Sequence, residues 1–434
     1  MIRRKKWVKE KTIFRSVNFL LVNFFGGLFL LLSPLLAQSE TTGLNSSYWL
    51  TDRILIVGTG EMQWDMVAAV NTKRGIVIID SGGAPSLTAR HRSTIEKEFG
   101  RSDFKFVINT HHHGDHVVGN QVFKDAIIIA HENAAKRMKE DDDEEEIAAW
   151  VKKTRERNER RNRLKETLEK DSVIYKKLRD RIYVSDKMCD DYETVYRLTL
   201  PTLTFTDHLT LDMGDITIEL VYFGPGFHTD GDIIVSIPDQ KTVFTGDIIL
   251  NTDQYQRVTS KSDIGSWIAC LDKIFENNSE IKHIVAYHIG VLPRTVLRDF
   301  FDTLKKMGHM QRQKKSAVER LRAMISASNV REAVNKFNDQ FLKNRNKGYF
   351  IWIGDLLSLT REYMGKGKND EAMIILKMCE KIFPNSAMVL YNQAQIFTKE
   401  GKNHFAIEAY QKMLGIDPTN YYYAEQIFQL KNSK

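Results

Sequence analysis

The sequence predicts an α/β domain with a charged helical insertion, followed by an all-α region of helical repeats. Three observations lead to this fold class: short apolar runs rich in β-branched residues recur over residues 44–300, a charge-dense segment interrupts them at 132–197, and the stretch 347–434 contains an internal repeat. The 434 residues suffice for about two to three domains, and three cysteines are too few for a disulfide-stapled scaffold.

The excess positive charge of the chain lies almost entirely in the stretch 1–37. The formal net charge is +7, and residues 1–37 contribute +6 of it through seven basic residues against one acidic residue, which leaves about +1 for the remainder. Because proteins bind nucleic acids through clustered Lys and Arg side chains, this near-neutral remainder predicts no nucleic-acid partner.

The basic N-terminal stretch is followed by an apolar run from Phe19 to Leu36 and by a small residue, Ala37, before a polar segment. This order is typical of a secretory signal peptide. An uncleaved membrane anchor over residues 1–37 is the alternative, since roughly 18 apolar residues also approach the length that spans a bilayer. Either interpretation predicts an exported protein, periplasmic or secreted, that contacts a membrane only through an uncleaved leader.

The apolar runs within residues 44–300 predict buried strands, because short β-branched runs bounded by Gly, Asp and Asn are typical of sheets covered on both faces. The runs are 54–57, 66–70, 75–80, 104–109, 126–130, 202–205, 209–211, 216–222, 233–235 and 243–245.

Residues 132–197 combine an acidic run at 141–146 with many basic residues and with apolar residues at helical spacing. They predict inserted helices whose charges form a solvated face; a lid that gates substrate, or a surface for a partner, is the alternative. After the first domain, residues 301–346 predict a polar-faced helical connector.

The tail matches itself when it is shifted so that Gly367 aligns with Gly401, and the same shift aligns Pro384 with Pro418. Helix pairs of this period must stack to bury their faces. The tail resembles tetratricopeptide repeats, with copies at 353–386 and 387–420 and a capping helix from Tyr421. The resemblance implies a groove for a protein or peptide partner; alternatively, so short an array only packs on its own catalytic domain.

Residues 109–116 read NTHHHGDH and directly follow an apolar strand. Imidazole and carboxylate groups at this density are costly to bury unless a partner satisfies them, and a divalent metal ion such as zinc does so. Ligands two residues apart in an extended turn project to the same side, which favours His111 and His113 and leaves His112 pointing away. The stretch therefore predicts a metal site.

The pattern His-x-His-x-Asp-His after an apolar strand resembles the signature of the metallo-β-lactamase superfamily. Other landmarks of that family follow in order over about residues 50–300. Asp80 ends the strand 76–79, His228 lies in the loop 224–232, Asp247 follows the strand 243–245, and His288 lies in the segment 284–290.

The resemblance implies an αββα sandwich: two sheets face to face, helices outside, and a two-metal site at the sheet edge. By the same resemblance, His111, His113 and His228 would hold the first ion, Asp115, His116 and His288 the second, and Asp247 would bridge both. A hydroxide between two divalent ions, preferably zinc, would be the nucleophile, and Asp115 would be the catalytic residue that orients it. Asp80 would hold a ligand loop in place. Iron or manganese bind similar ligand sets.

The sequence departs from the family pattern in two places. Asp247 stands where the antibiotic-hydrolysing branch that binds its second metal through cysteine has Cys, which disfavours β-lactam as the substrate. The last histidine segment reads YHIG instead of the usual Gly-His-Gly, so that His283 is a rival to His288. The three cysteines lie apart from these motifs, and we expect buried thiols.

Two functional hypotheses follow. The first is an exported metal-dependent hydrolase that attacks a small-molecule ester, thioester, lactone or amide, with β-lactam as a less favoured substrate. The alternative is a repeat-mediated protein-interaction module whose metallo-hydrolase domain is vestigial or acts on an unusual substrate. A vestigial site would be expected to lose ligands, whereas all seven candidates are present.

Overall fold

The computed structural model describes residues 45–60, 64–249, 257–278, 280–293, 295–343 and 348–433. The leader predicted over residues 1–37 lies outside these ranges. Within them, no helix combines the length and the apolar character needed to cross a bilayer.

The first sheet has seven strands that lie side by side in chain order. They are β1 (Asn45–Trp49), β2 (Ile54–Thr59), β3 (Val67–Thr72), β4 (Gly75–Ile79), β5 (Phe104–Ile108), β6 (Ile127–His131) and β7 (Leu203–Phe205). Strands β1 to β4 pair antiparallel, whereas β4 to β7 run parallel. Because β4 and β5 are parallel neighbours, the residues that follow them meet at one edge of the sheet.

The second sheet has six strands in the spatial order β13-β12-β11-β10-β9-β8. They are β8 (His208–Asp212), β9 (Thr217–Tyr222), β10 (Ile233–Ile237), β11 (Thr242–Phe244), β12 (His283–Ala286) and β13 (Gly290–Leu292). Strands β11 and β12 are parallel, and the other neighbours are antiparallel. The residues after β11 and β12 therefore also meet at one edge. A short parallel pair, β14 (Lys315–Ser316) and β15 (Tyr349–Phe350), lies outside both sheets.

The α-helices of the described residues fall into three groups. Those of the sandwich and its insertion are α1 (Pro85–Phe99), α2 (Gly114–Val117), α3 (Glu132–Glu140), α4 (Glu144–Lys165), α5 (Val173–Thr194) and α6 (Ile264–Asn277). The connector holds α7 (Thr295–Gln313), α8 (Ala317–Ala327) and α9 (Val330–Phe337). The C-terminal region holds α10 (Ile353–Gly365), α11 (Asn369–Ile382), α12 (Ala387–Lys399), α13 (Asn403–Ile416) and α14 (Tyr421–Asn432).

The two sheets lie face to face across an apolar core, to which Ile56 of β2 and Leu220 of β9 both contribute fully buried side chains. Helix α1 covers the outer face of the first sheet with Ile95. Helices α6 and α7 cover the outer face of the second sheet with side chains that include Trp267 and Phe300. The order helix, sheet, sheet, helix confirms the predicted sandwich.

Helices α3, α4 and α5 form the predicted insertion. Helix α4 begins after Asp143, whose carboxylate accepts hydrogen bonds from backbone N–H groups of the first turn. Most charged side chains of the insertion are exposed or half-buried, as predicted, but Arg161, Asp180 and Asp191 are buried. The prediction of a solvated face is wrong for these three, because each has a hydrogen-bonding partner inside the protein.

The C-terminal helices follow the predicted period. Helices α10 and α12 begin at Ile353 and Ala387, and α11 and α13 begin at Asn369 and Asn403, so both pairs have the offset that aligns Gly367 with Gly401. The predicted helix pairs and the helix from Tyr421 are therefore confirmed as helices. Assignment of the pairs to the tetratricopeptide repeats stays a prediction.

The last helix, α14, packs on the insertion. Its residues Tyr421 and Phe428 lie against an apolar cluster of α4 and α5 that includes Leu178. Beside this cluster, Nε of Arg161 donates a hydrogen bond of 3.0 Å to Oε2 of Glu425, and each side chain is only 5% exposed. The array therefore packs on the insertion of its own first domain, and packing on that domain is one of the two possibilities that the sequence leaves open.

We predict that Glu425→Ala lowers the free energy of unfolding by about 3 kcal/mol, because it leaves the Arg161 guanidinium buried without a carboxylate. Urea unfolding followed by circular dichroism measures the change. Glu362→Ala is the matched control: Glu362 pairs with Arg322 at the surface, so its loss is expected to cost less than about 1 kcal/mol. Equal effects of the two substitutions would contradict the assignment of a buried pair.

Candidate metal centre

Three strand ends carry six of the seven predicted ligands to one edge of the sandwich. His111 and His113 lie in the turn after β5, and the short helix α2 continues with Asp115 and His116. From the second sheet, Asp247 follows β11 and His288 follows β12. The parallel pairing of β11 with β12 is what brings Asp247 and His288 side by side.

Glycine residues allow the close approach of these segments. A Cβ atom at Gly246, whose φ is +50°, would lie 2.7 Å from Oγ1 of Thr110, so no larger residue fits between Asp247 and the turn after β5. A Cβ atom at Gly83 would lie 2.8 Å from Cα of Asp115 and 2.9 Å from Cε of Met188. The insertion helix α5 thus packs directly beside the ligand helix α2.

The first ligand group consists of His111, His113, His228 and Asp247, whose donor atoms all lie within 4.8 Å of one another. Nε2 of His228 lies 3.1 Å from Nδ1 of His113 and 3.5 Å from Oδ2 of Asp247. Nε2 of His111 lies 3.9 Å from the same carboxylate oxygen. Three imidazoles and one carboxylate therefore face a common point.

The second ligand group consists of Asp115, His116 and His288, again with donor atoms within 4.8 Å of one another. Nε2 of His288 lies 3.2 Å from Oδ2 of Asp115. Asp247 stands between the two groups: its Oδ1 lies 3.4 Å from Nε2 of His116, and its Oδ2 lies 3.3 Å from Nε2 of His288. This carboxylate can therefore serve both groups.

The donor atoms fit divalent metal ions. Nε2 of His111, Nε2 of His116 and Oδ1 of Asp247 are buried, and among the described residues none has a hydrogen-bonding partner. Leaving such groups unsatisfied is costly, and neutral imidazole with carboxylate is a ligand set that zinc and similar ions accept. The histidine and aspartate clusters are compatible with a dinuclear divalent metal site.

Asp80 holds the ligand turn without belonging to either ligand group. Its Oδ1 accepts a hydrogen bond of 2.8 Å from the backbone N–H of Thr110, and its Oδ2 accepts one of 2.8 Å from Nδ1 of His116. That contact leaves Nε2 of His116 directed at Asp247. Asp80 has a φ of +54°, a left-handed conformation that Asp tolerates better than most residues.

Two aromatic side chains support the second ligand group. The ring of Tyr287 lies on the ring of His116 with centroids 3.8 Å apart, and its hydroxyl donates a hydrogen bond of 2.7 Å to the backbone oxygen of Asp115. The ring of Trp64 lies 5.8 Å from that of His288. Sequence reasoning missed Trp64, because a lone aromatic residue before a strand carries no signal of a site.

The loop that carries His228 is fastened by Asp232. Its carboxylate accepts hydrogen bonds from the backbone N–H groups of His228 and Thr229, at 3.2 and 2.6 Å. Burial raises the pKa of Asp232 to about 6 despite these donors. On the outer side of the loop, Nη1 of Arg257 lies 3.2 Å from Nδ1 of His228.

The ligand imidazoles fall into two classes, one with a lowered pKa and one with a raised pKa. Burial holds the pKa of His111 well below its ordinary value and lowers that of His228 to about 4. For His116, burial acts downward, but Asp80, Asp247 and Asp115 outweigh it and hold the pKa well above its ordinary value.

Burial likewise acts downward on His288, but hydrogen bonds with Asp115 and Asp247 outweigh it and raise the pKa to about 9. The same imidazoles lower the pKa of both carboxylates against the opposing effect of burial. In the absence of metal, the second group therefore holds protons that the first does not.

The structure brings all seven predicted ligands together and leaves the remaining candidates outside both groups. His283 lies at the start of β12, away from His288 at the end of that strand. His112 points away from the ligand groups, with its Nε2 at 3.5 Å from Oδ2 of Asp141. The three cysteines are free and buried, as expected.

Comparison with known proteins finds one matching family and several solved structures of low identity. The family profile described as "Metallo-beta-lactamase superfamily" matches residues 66–285. Among solved structures, a metallo-beta-lactamase from Pontibacter korlensis is 16% identical with a TM-score of 0.39, and the match covers 60% of this chain and 99% of that one. A metallo-beta-lactamase from Erythrobacter litoralis is 12% identical with a TM-score of 0.39, covering 62% and 99%. No curated protein matches the chain.

We predict that Asp80→Asn weakens metal binding by about 10- to 100-fold, because the amide cannot accept both the Thr110 and the His116 hydrogen bonds. Asn tolerates the left-handed backbone at this position, so the fold is expected to persist. Competition with a chromogenic chelator measures the affinity. Asp191→Asn, which alters a buried carboxylate bonded to Ser86, is the control and is expected to leave the affinity unchanged.

Metal binding at pH 7 is predicted to release about two protons per chain, because a ligand imidazole must be neutral and His116 and His288 are protonated without metal. The apparent metal affinity therefore rises with pH from neutrality through about 9, the pKa of His288. Calorimetric titration in buffers of different ionisation enthalpy measures the release. A heat of binding that is independent of the buffer would contradict the protonated state of these imidazoles.

Proposed function

The chain belongs to the metallo-β-lactamase superfamily, and we propose that it is an exported hydrolase that cleaves a small ester, thioester, lactone or amide with two bound divalent ions, preferably zinc. The observation that carries the proposal is the pair of ligand groups that share Asp247. A site without function has no reason to keep seven mutually directed donors, of which His111, His116 and Asp247 are buried and costly to leave unsatisfied.

Divalent ions in these two groups, when bound, supply Lewis-acid activation of a water molecule and stabilise negative charge on the substrate oxygen. The side chains of the protein hold the ions in position and provide a carboxylate that accepts a proton from the attacking water. The Asp247 side chain is 5% exposed and belongs to the frame of the site, whereas that of Asp115 is 26% exposed and can be reached from solvent. Asp115 is therefore the carboxylate that we assign to orienting the attacking water and accepting its proton.

The class of substrate follows from the chemistry of the ligands. Asp247 stands where one branch of β-lactam hydrolases has a cysteine, and the three cysteines are buried away from the ligand groups. We therefore place β-lactams behind esters, thioesters, lactones and amides. Export is proposed from the basic and apolar leader of residues 1–37, which leads to a periplasmic or secreted enzyme.

A second candidate function is recognition of a protein or peptide by the C-terminal helices, as in tetratricopeptide repeats. The observation that favours it is the exposed apolar surface of α13, where Phe405 and Ile416 are 50% and 42% exposed. Under this reading, binding of a partner places the hydrolase at its site of action, or the metal site acts on an unusual substrate.

The purified full chain, loaded with zinc, is expected to hydrolyse one class within a chromogenic panel of β-lactam, lactone, thioester, carboxyl ester and phosphodiester substrates. The His111→Ala/His113→Ala double variant removes two ligands of the first group and is expected to abolish that activity. Metal content is measured on both proteins. If the wild-type protein holds two ions and hydrolyses none of these substrates, the result favours the protein-interaction module over the hydrolase.

A further inference from the structure

Helices α4, α5 and α14 meet beside the second ligand group. Trp64 makes the connection: its ring lies 5.8 Å from that of His288 on one side and 5.9 Å from that of Tyr421 on the other, in an edge-on contact of 88°. Tyr421 is the first residue of α14. The C-terminal helix is therefore only one side chain removed from a metal ligand.

Four arginines of α4 and α5 gather at this junction: Arg157, Arg160, Arg161 and Arg181. The guanidinium of Arg181 lies 4.9 Å from the centre of the Trp64 ring, and that of Arg161 lies 5.5 Å from the centre of the Tyr421 ring. Burial lowers the pKa of Arg157, and the charges of the other three arginines lower it further. The positive charges of Arg160, Arg161 and Arg181 therefore all act on the Arg157 guanidinium.

Only one carboxylate among the described residues interacts with these arginines, that of Glu425. Glu425 pairs with Arg161, and it is the acid that acts on Arg157 as well. Among the described residues, the side chains of Arg157, Arg160 and Arg181 form no ion pair, although the backbone oxygen of Arg181 accepts a hydrogen bond from Ser185. Nε of Arg160 and Nε of Arg181 are buried and have no acceptor.

Neighbouring arginines of the same two helices behave differently. Arg155 on α4 pairs with Asp190 and Glu193, and Arg179 on α5 pairs with Asp180. Among the described arginines of α4 and α5, only Arg160 and Arg181 have a buried Nε without an acceptor. A buried guanidinium without an acceptor is costly, and planar oxyanions satisfy its donors in pairs.

We propose that Arg157, Arg160 and Arg181 form a subsite for an anionic group of the substrate, so that the molecule cleaved at the metal centre carries a carboxylate, sulfate or phosphate remote from the scissile bond. This inference rests on the proposed hydrolase function and narrows its substrate class. Trp64 forms the wall between the anionic group and the reacting centre. Tyr421 and Glu425 of α14 hold the neighbouring Arg161, which makes the C-terminal region part of the subsite.

Packing on aromatic rings does not account for the cluster. A cation–π contact uses the face of the guanidinium and leaves the N–H donors at its edge in need of acceptors. Arg181 has such a contact with Trp64, and its Nε still lacks a partner. No ring contact is found for Arg157 or Arg160 within the described ranges. An oxyanion would supply the acceptors that the buried Nε–H groups of Arg160 and Arg181 lack.

The direct test measures binding of inorganic sulfate to the zinc-loaded full chain by calorimetry, with sodium chloride keeping the ionic strength constant. Arg181→Met is expected to weaken sulfate binding about tenfold or more, since a charge-assisted pair is lost. Arg163→Met is the matched control, because Arg163 lies on α4 with an exposed side chain and undergoes the same change of charge. Its sulfate affinity is expected to stay within about twofold of the wild type.

A second substitution keeps the proposal testable if the Arg181→Met variant does not fold. Arg160→Gln is expected to weaken sulfate binding in the same direction as Arg181→Met, and circular dichroism checks that both variants fold. Sulfate that binds equally well to the wild type and to the folded variants, or that does not bind the wild type, overturns the subsite.

Kinetics separate the subsite from the hydrolase itself. For the active substrate class, a pair of substrates with and without a terminal carboxylate is compared in the wild type and in Arg181→Met. We expect KM to rise about tenfold for the anionic substrate alone, with kcat unchanged. Equal effects on both substrates overturn the subsite while the hydrolase stands. If the chain hydrolyses nothing, sulfate binding that depends on Arg181 supports an anion site but overturns its assignment to a substrate of the metal centre.

Discussion

Seven imidazole and carboxylate side chains meet at one edge of the sandwich. Holding such polar groups close together is unfavourable, and the rest of the first domain must be stable enough to keep them in place. Parallel pairing of β4 with β5, and of β11 with β12, delivers the chain to this edge from both sheets. Glycine at position 246 permits the close approach. Divalent metal ions, when bound, would offset the cost of bringing these groups together.

The surroundings of the ligands set their protonation as well as their position. Asp80 bonds one nitrogen of His116 and so directs the other toward Asp247. The carboxylates near His116 and His288 raise the pKa of these imidazoles, whereas His111 and His228 are buried with less opposing charge and have a lowered pKa. The two ligand groups therefore differ in the proton cost of taking up a metal ion, although they share Asp247.

The parts of this structure that the sequence predicts are those with local signals. Runs of β-branched residues identify the strands, and the spacing of His111, His113 and His116 identifies the ligand turn within a single segment. Asp247 and His288 are isolated polar residues after strands, and only the likeness to a family points to them. The contact of Trp64 with His288, and the pair of Arg161 with Glu425 across 264 residues, have no local signal because tertiary packing alone creates them.

The position of α14 changes the relation between the two halves of the chain. If the C-terminal helices only bound a partner protein, they would need no more than a stable attachment to the first domain. The buried ion pair of Arg161 with Glu425 provides such an attachment. The contact of Tyr421 with Trp64 goes further, because it brings the array to the edge of the metal centre. The buried Nε atoms of Arg160 and Arg181 lack an acceptor, whereas Arg155 and Arg179 on the same two helices are paired. Positive charge without acidic partners is thus concentrated where the insertion, the C-terminal helix and a metal ligand meet. A bound anion explains this arrangement. The C-terminal helices then contribute to substrate binding at the metal centre of the sandwich.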